Sequence, residues 1–397
     1  YGSPFRGEDV LVLTMDGYGD NANASVSIIE NSKLKIIRLY ENFNIGRIYR
    51  LITLLLCMKP SEHEFKVMGL APYATKSNYS EALDVFKKAY QFNSETGDIE
   101  IDSNLTDNYF YFKERLKHCR FDGIAGALQI FSEEIITSLV KFWMKELSKT
   151  RIVVSGGVSL NVKANMEISK LNVVDDLFVV GSGGDESLCI GSIFSYVDRV
   201  SSLNSTSKIK PLENLYLGEE ICNKELKASL ESRELNRDLF SIGQITSSQE
   251  IAELLVAGNI IGVASGRAEF GARALGNRSI IADPRNIDTI KKINRQIKNR
   301  DFWMPFTPTI LDIAESKYLE NPKNILLPYM SIACNTKKDA HRDIPAALHP
   351  ADLTARPQIL LREANPRYYD IIKSFGNITG VYSLLNTSLN LHGLPIV

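Results

Sequence analysis

The first apolar run, Val10-Leu-Val-Leu-Thr-Met15, is β-rich and stops at Asp16-Gly17-Tyr18-Gly19-Asp20, a glycine turn carrying two carboxylates. That pattern predicts a strand feeding a polar loop. Two further runs, Ser25 to Glu30 and Leu34 to Tyr40, are parted by Asn31-Ser32-Lys33 and predict a hairpin or meander with the first strand. Helical periodicity then takes over in Ile48 to Met58, in Ser80 to Tyr90 and over the longer stretch Ile124 to Leu147. Next, Arg151-Ile-Val-Val-Ser155 runs into Gly156-Gly157, which predicts a short buried strand, two glycines and a helix after Asn161. The same design recurs where Leu177-Phe-Val-Val180 meets Gly181-Ser-Gly-Gly-Asp185, with an apolar helix from Ser187 to Val197.

The segment Ser201 to Lys210 is polar, serine-rich and without period, so it reads as a connection between domains over 1–205 and 206–397. Beyond it the pattern predicts a helix over Glu250 to Ala257, a strand over Ile260 to Ala264, a dense loop, a helix near Ile287 to Ile297, and strand-like pieces up to Val397. A length of 397 residues supports two domains, each able to bury its own core.

Lys plus Arg number 46 against 47 Asp plus Glu, a formal charge of −1, so no global charge attracts nucleic acid or an anionic membrane. Any anion site must be local. The longest apolar run, Leu51 to Met58 with Thr53 inside it, is far short of the roughly 20 residues of a membrane helix, and no membrane partner is expected. The five cysteines are never in a C-x-x-C pair, which fits a reducing, cytoplasmic setting. The five histidines, His392 among them, form no H-x-x-H or H-x-x-x-H pair and so no helical two-histidine metal face.

Three glycine-rich turns each follow an apolar strand: Asp16-Gly17, Gly156-Gly157 and Gly183-Gly184-Asp185. Glycine there lets backbone N–H groups approach phosphate oxygens, while a nearby aspartate can hold a bridging divalent cation; plain strand-to-helix turns are the alternative. No Walker lysine motif or G-x-G-x-x-G occurs at these turns, and the pattern of two phosphate loops plus a third nucleotide loop is that of the actin-like ATPase fold. In the second half, Gly266 to Ser279 places Arg267, Arg273 and Arg278 in a glycine-broken stretch with Glu269 inside and Asp283 just beyond. Guanidinium forks bind carboxylates and phosphates bidentately, so the stretch suggests an anionic ligand, a solvated charged face being the alternative. Lys298-Asn-Arg300 and Asn386-Thr-Ser-Leu-Asn390 lie almost ninety positions apart. Brought together by the fold, their lysine, arginine, hydroxyl and amide would suit a phosphate joined to a small polar acyl group.

These residues resemble the carbamoyltransferases typified by the nodulation and the cephamycin or aminoglycoside O-carbamoyltransferases. The matching segments are Lys66-Val-Met-Gly-Leu-Ala-Pro-Tyr73, Ser155 to Asn161, Gly266 to Arg285, Phe306 to Pro308, Thr354-Ala-Arg-Pro-Gln358, Leu385 to Asn390, and Pro395 onward. The resemblance implies an α/β chain: an actin-like (ribonuclease H-like) domain followed by an α+β, YrdC-like domain. It implies a YrdC-like domain that joins carbamoyl phosphate and ATP into carbamoyl adenylate, and a first domain that passes the carbamoyl group to an acceptor hydroxyl of a sugar or natural product, aided by a bound nucleotide and a metal of the iron or magnesium class. It carries the signature K-x-R with a distant S-x-N onto Lys298, Arg300, Ser388 and Asn390, with Arg273 and Arg278 neutralising phosphate charge. Asp185 matches the metal ligand, and Asp16, Gly17, Gly156, Gly157, Asn161, Gly183, Gly184 and Lys66 match nucleotide-binding positions.

This chain departs from the family pattern in several places. The histidine motif H-H-x-x-H-A, expected just upstream of a segment like Tyr1-Gly-Ser-Pro-Phe5, is absent, and His63 precedes a different motif. The chain stops at Val397 where family members continue, so it reads as trimmed at both ends. Ala272 stands where proline is usual, Met304 where arginine is usual, and Leu394 where glutamate is usual. Two other readings stay open: a non-catalytic nucleotide-binding module of the same fold, supported by these departures, and a tRNA threonylcarbamoyl transferase, which the neutral charge disfavours.

Overall fold

A computed structural model describes residues 1–5, 10–30, 33–204, 210–232, 238–245, 247–391 and 393–396. Residues 205–209 of the connection expected at 201–210, together with His392 and Val397, lie outside the described residues. The chain opens with a meander, β1 (Val10–Gly19), β2 (Ala22–Glu30) and β3 (Lys33–Tyr40). Gly19 pairs with Ala22 across a two-residue turn in which Asp20 and Asn21 both take positive φ, +48° and +61°, the geometry these side chains tolerate best in a tight hairpin. Helices α1 (Ile45–Leu55), α2 (Glu64–Leu70) and α3 (Lys76–Ala89) come next, then a small hairpin of β4 (Tyr90–Phe92) and β5 (Ile99–Ile101). They are followed by α4 (Asn108–Leu116), α5 (Phe121–Glu146), β6 (Arg151–Ser155), α6 (Val162–Lys170), β7 (Asp176–Val179) and α7 (Leu188–Asn204).

The first five-stranded sheet runs β3-β2-β1-β6-β7. Within it β1, β6 and β7 are parallel. Gly156-Gly157 and Gly183-Gly184 follow the carboxyl ends of β6 and β7, where ligands of open α/β sheets gather, whereas the loop expected from Asp16 is a correction: Asp16-Gly17 lies inside β1, at the irregularity between Met15 and Gly19. Helix α5 packs through this half. It is long and apolar enough to cross a membrane by length and composition, but 72% of its most apolar window is buried inside the fold. On its inward face Phe131 stacks on Phe86 at 5.5 Å between ring centroids, and Phe112 meets Phe86 at 5.0 Å, offset aromatic contacts that add to area burial.

The second half holds α8 (Asn223–Ser232), α9 (Ser248–Val256), β8 (Ile261–Ala264), β9 (Arg278–Ala282), α10 (Asp288–Ile293), β10 (Thr307–Leu311), α11 (Glu315–Tyr318), α12 (Lys338–Asp343), β11 (Gln358–Leu360), α13 (Pro366–Thr379) and β12 (Ser383–Ser388). Its sheet runs β11-β10-β12-β9-β8. The strand-like character expected up to residue 397 is a correction: α13 is a full helix. Asn365 caps it by accepting from Tyr368 N, Pro366 occupies its first turn, and Gly380 ends it at φ +77°, a Pro-start and Gly-stop signature. The first part of the connection expected at 201–210 is likewise helical, because α7 continues to Asn204.

The halves share apolar packing. One cluster joins Phe5, Val10, Ile29, Val153 and Phe178 from the first half to Leu215, Leu275, Tyr329 and Met330 from the second. Gly156 marks the tightest point of the first sheet: its φ is +90°, and a Cβ there would collide with the Met15 carbonyl oxygen. Gly156→Ala is therefore expected to destabilise the fold by roughly 2–4 kcal/mol, backbone strain plus a steric clash, read as a lowered urea midpoint at an unchanged m-value.

Candidate functional site

A cavity of about 370 Å³ opens where the two halves meet, within the size range of small-molecule sites. The first half contributes Phe65, Met68 and Gly69 from α2 and Val162 and Lys163 from the start of α6. The second half contributes four cations, Arg273, Lys298, Arg300 and Arg356, together with Ser388 and Asn390.

Local structure aims these side chains. Helix α10 continues into a single π turn, Asn294–Lys298, which ends at Asn299 in the left-handed region with φ +44°. The wider turn and the reversal after it put Lys298 and Arg300 on the same cavity wall, a use of π geometry that recurs at functional sites. The Lys298 Nζ donates to Ser388 O, to Asn390 O at 2.8 Å and to Asn390 Oδ1 at 2.6 Å, with Ser388 Oγ at 3.3 Å. Ser388 Oγ donates to Asn390 Oδ1 at 2.6 Å. Arg300 donates to Pro305 O at 3.2 Å and lies 4.9 Å from the Phe306 ring centroid, while its Nε has no partner among the described residues.

The arginine stretch is organised by its own carboxylate. Glu269 Oε1 accepts from Leu275 N at 2.7 Å, Asn277 N at 2.8 Å and Arg278 N at 3.2 Å, pinning the loop so that Arg273 at its tip reaches the cavity. Its other two arginines are spent elsewhere. Arg267 donates to Tyr216 O and Leu217 O. Arg278 is buried and donates to the carbonyls of Ser265, Gly266, Asn277 and Glu219; it braces the loop from behind and is not among the residues lining the cavity.

The four second-half cations of the cavity crowd one another. Burial pulls Arg273 down to about 10, and burial with the charge of Arg273 pulls Arg300 to about 10 against the opposing pull of Asp301. Arg356 is held well below the ordinary arginine range by burial and by Arg273 and Arg300, and its Nε is buried without a partner among the described residues. Lys298 is pulled down to about 8 by burial and Arg300, while the oxygens around its Nζ favour the ammonium form. Such a cluster is complete only with an anion.

The glycine turns also converge. Asp16 accepts from Gly17 N at 2.6 Å and from Gly157 N at 3.1 Å. A Cβ at Gly183 would collide with Ser159 Oγ and Gly156 O. The structure thus brings Asp16, Gly17, Gly156, Gly157, Gly183 and Gly184 to one end of the sheet, with the Gly17 and Gly157 N–H groups occupied by Asp16 rather than facing outward. Two other expected nucleotide residues have protein partners. Asn161 caps α6 by accepting from Ala164 N at 3.0 Å and exchanges hydrogen bonds with Gln129. Lys66 pairs with Asp301 of the second half at 3.0 Å.

Residues 1–194 match the family described as Carbamoyltransferase N-terminus, and residues 252–397 match the one described as Carbamoyltransferase C-terminus. The chain belongs to the carbamoyltransferase family. Among its relatives are an uncharacterized protein of Methanocaldococcus jannaschii, 31% identical over all of this chain and 67% of the relative, and Nodulation protein NolO of Bradyrhizobium diazoefficiens, 30% identical over 98% of this chain and 71% of the relative. Nodulation protein U of the same organism is 26% identical over 70% of this chain and 46% of that protein. The carbamoyltransferase is accordingly a transferase that takes a carbamoyl donor and an acceptor.

The residues described do not fit the divalent-metal site that the family resemblance implies. Among them no three His, Cys, Asp or Glu side chains lie close enough to share an ion, and Asp185 is exposed at the start of a short 3-10 turn. His63 lines the cavity mouth with Nδ1 accepting from Lys59 N.

Sequence reasoning missed Arg356, which sits inside a family-like segment but is tied to the site by no local spacing. It also missed His349, which is buried, accepts from Ala351 N through Nδ1 and so donates from Nε2 to Gly69 O of the first half at 2.9 Å. Burial lowers its pKa, keeping the ring neutral.

Two outcomes follow for the carbamoyltransferase. Arg356→Met is expected to stabilise the ligand-free chain by about 1 kcal/mol, since it removes a like charge from a crowded wall, and to weaken pyrophosphate binding; thermal melts and calorimetry check both. Because Lys298 must be charged to hold an anion and its pKa is lowered to about 8, pyrophosphate affinity is expected to fall as pH rises from 7 to 9. Lys298→Arg should move that loss to higher pH, read by calorimetry across the range.

Proposed function

We propose that the carbamoyltransferase is an ATP-dependent O-carbamoyltransferase that forms carbamoyl adenylate from carbamoyl phosphate and ATP, one water first cleaving carbamoyl phosphate to carbamate and phosphate and the carbamate oxygen then attacking the ATP α-phosphate to release pyrophosphate, and that transfers the carbamoyl group to a hydroxyl of a small-molecule acceptor with AMP as the leaving group. The observation that carries this reading is the cavity wall of Arg273, Lys298, Arg300 and Arg356 beside Ser388 and Asn390. A phosphorylated acyl group brings roughly two negative charges at neutral pH, and attack on the ATP α-phosphate spreads further charge over its oxygens. Cations already fixed where that charge develops stabilise it by a few kcal/mol per well-placed donor.

In this reading Lys298 and Arg300 hold phosphate oxygens, and Arg273 and Arg356 neutralise the second charged group. The Ser388 hydroxyl and the Asn390 amide orient the small acyl head. The apolar side of the cavity, with Met68, Met304, Phe306 and Met330, excludes water from a mixed anhydride that water would destroy. Met304 supplies no charge, so the neighbouring arginines carry that duty.

The reading also assigns the first half, with its β3-β2-β1-β6-β7 sheet, to an actin-like domain and the second half to a YrdC-like domain, divided near residue 205. The three glycine turns are then the nucleotide loops of the first domain. A chain of formal charge −1 favours a small acceptor over a nucleic acid.

The test is exchange of labelled pyrophosphate into ATP by the purified chain. Exchange is expected only with carbamoyl phosphate present, and Lys298→Ala and Ser388→Ala are each expected to lower it by roughly 10²–10³-fold, the size of a lost transition-state donor. ATP binding without exchange would sink the adenylation step.

A further inference from the structure

Acidic groups beside the cavity are each held by a lysine. Glu62 pairs with Lys59, Asp352 with Lys163, and Asp301 with Lys66 at 3.0 Å. In the last two pairs the carboxylate belongs to the second half and the lysine to the first. Asp301 follows Arg300 directly in the chain, yet the two do not pair. Adjacent Arg–Asp pairing occurs elsewhere in the chain, where Arg342 Nε donates to the next residue, Asp343, at 2.7 Å. Arg300 retains an unpartnered Nε that a carboxylate could take.

Lys66 is well placed to prevent that. Its side chain is 11% exposed and its Nζ reaches across the boundary to Asp301 Oδ2. Its own carbonyl accepts from Trp303 Nε1 at 3.2 Å, so both ends of the residue grip the loop that carries Lys298 and Arg300.

We propose that Lys66 is a positioning residue for the anion site, holding the Asp301 carboxylate off the Arg300 guanidinium so that Arg300 meets an incoming phosphate with its hydrogen-bond donors free of a carboxylate. The inference rests on the reading of this cavity as the acyl-phosphate site. Docking of the first half then does more than close the cavity: it withdraws negative charge from the wall opposite. Without Lys66, Asp301 is free to turn onto Arg300, and the cavity presents one positive charge fewer.

The experiment measures pyrophosphate binding to the full chain by calorimetry at low salt, for the wild type, Lys66→Met, Asp301→Asn and the double variant. Lys66→Met is expected to weaken binding about tenfold, the scale of one charge-assisted hydrogen bond. Asp301→Asn should bind at least as tightly as wild type, and the double variant should regain that affinity, because Lys66 has nothing left to restrain. A double variant as weak as Lys66→Met would overturn the inference, since a lysine that merely props the loop is not rescued by neutralising its partner. Equal affinity of Lys66→Met and wild type would overturn it too. Should Lys66→Met alone not fold, the double variant is compared with Asp301→Asn: equal affinities support the inference and a tenfold loss overturns it. Absence of pyrophosphate binding by the wild type would instead sink the acyl-phosphate reading beneath it.

Discussion

Crowding of like charge is the constraint on which the rest of this structure depends. Arg273, Lys298, Arg300 and Arg356 share one cavity wall, and each would be more stable apart. A folded protein keeps such a cluster only when surrounding structure over-determines the position of every member. Much of the second half can be understood as that framework: the Glu269 carboxylate gathering three backbone amides, the π turn and left-handed Asn299 that follow α10, and buried Arg278 bracing the loop through carbonyl oxygens. Each tie removes a way for the cations to drift apart.

The first half supplies what the cluster lacks. Lys66 and Lys163 engage Asp301 and Asp352, His349 and Gly69 share a hydrogen bond, and Ala333 N donates to Val162 O at 2.9 Å. These contacts surround the cavity, while a shared apolar cluster of Phe178, Leu215, Tyr329 and their neighbours lies behind. Apolar burial gives the junction its stability, and the polar pairs fix its register.

Regular elements were legible in the sequence wherever period and punctuation agreed. The β1 to β3 meander, α5, and the strand–glycine–helix units around Gly156 and Gly183 follow from alternation, 3.6-residue spacing and turn glycines. Helix α13 was less legible because its apolar residues Tyr368, Tyr369, Ile371, Ile372 and Phe375 are themselves aromatic and β-branched strand formers although their spacing is helical, and its Asn365, Pro366 and Gly380 boundaries are the better guide. At the site, Lys298, Arg300, Ser388 and Asn390 could be named from motif spacing, and the fold brings them together. Arg278 could not be sorted from Arg273 by sequence, because the same guanidinium chemistry serves a ligand or a ring of backbone carbonyls. Arg356 and the Lys66–Asp301 pair depend on contacts between distant parts of the chain, which no local window encodes.

Helix α2 carries a consequence for how such chains can recombine. It belongs to the first half by sequence, yet Lys66 grips Asp301 and Trp303, Gly69 meets His349, and a Cβ on Gly69 would come within 3.2 Å of Met304 Sδ. One face of α2 packs in the core of its own half through Val67 and Leu70 while Lys66 and Gly69 meet the partner half. A substitution in α2 therefore has to be accommodated by the 298–306 loop of the other half. A chimera cut at the serine-rich connection would keep two well-made sheets and lose the seam between them.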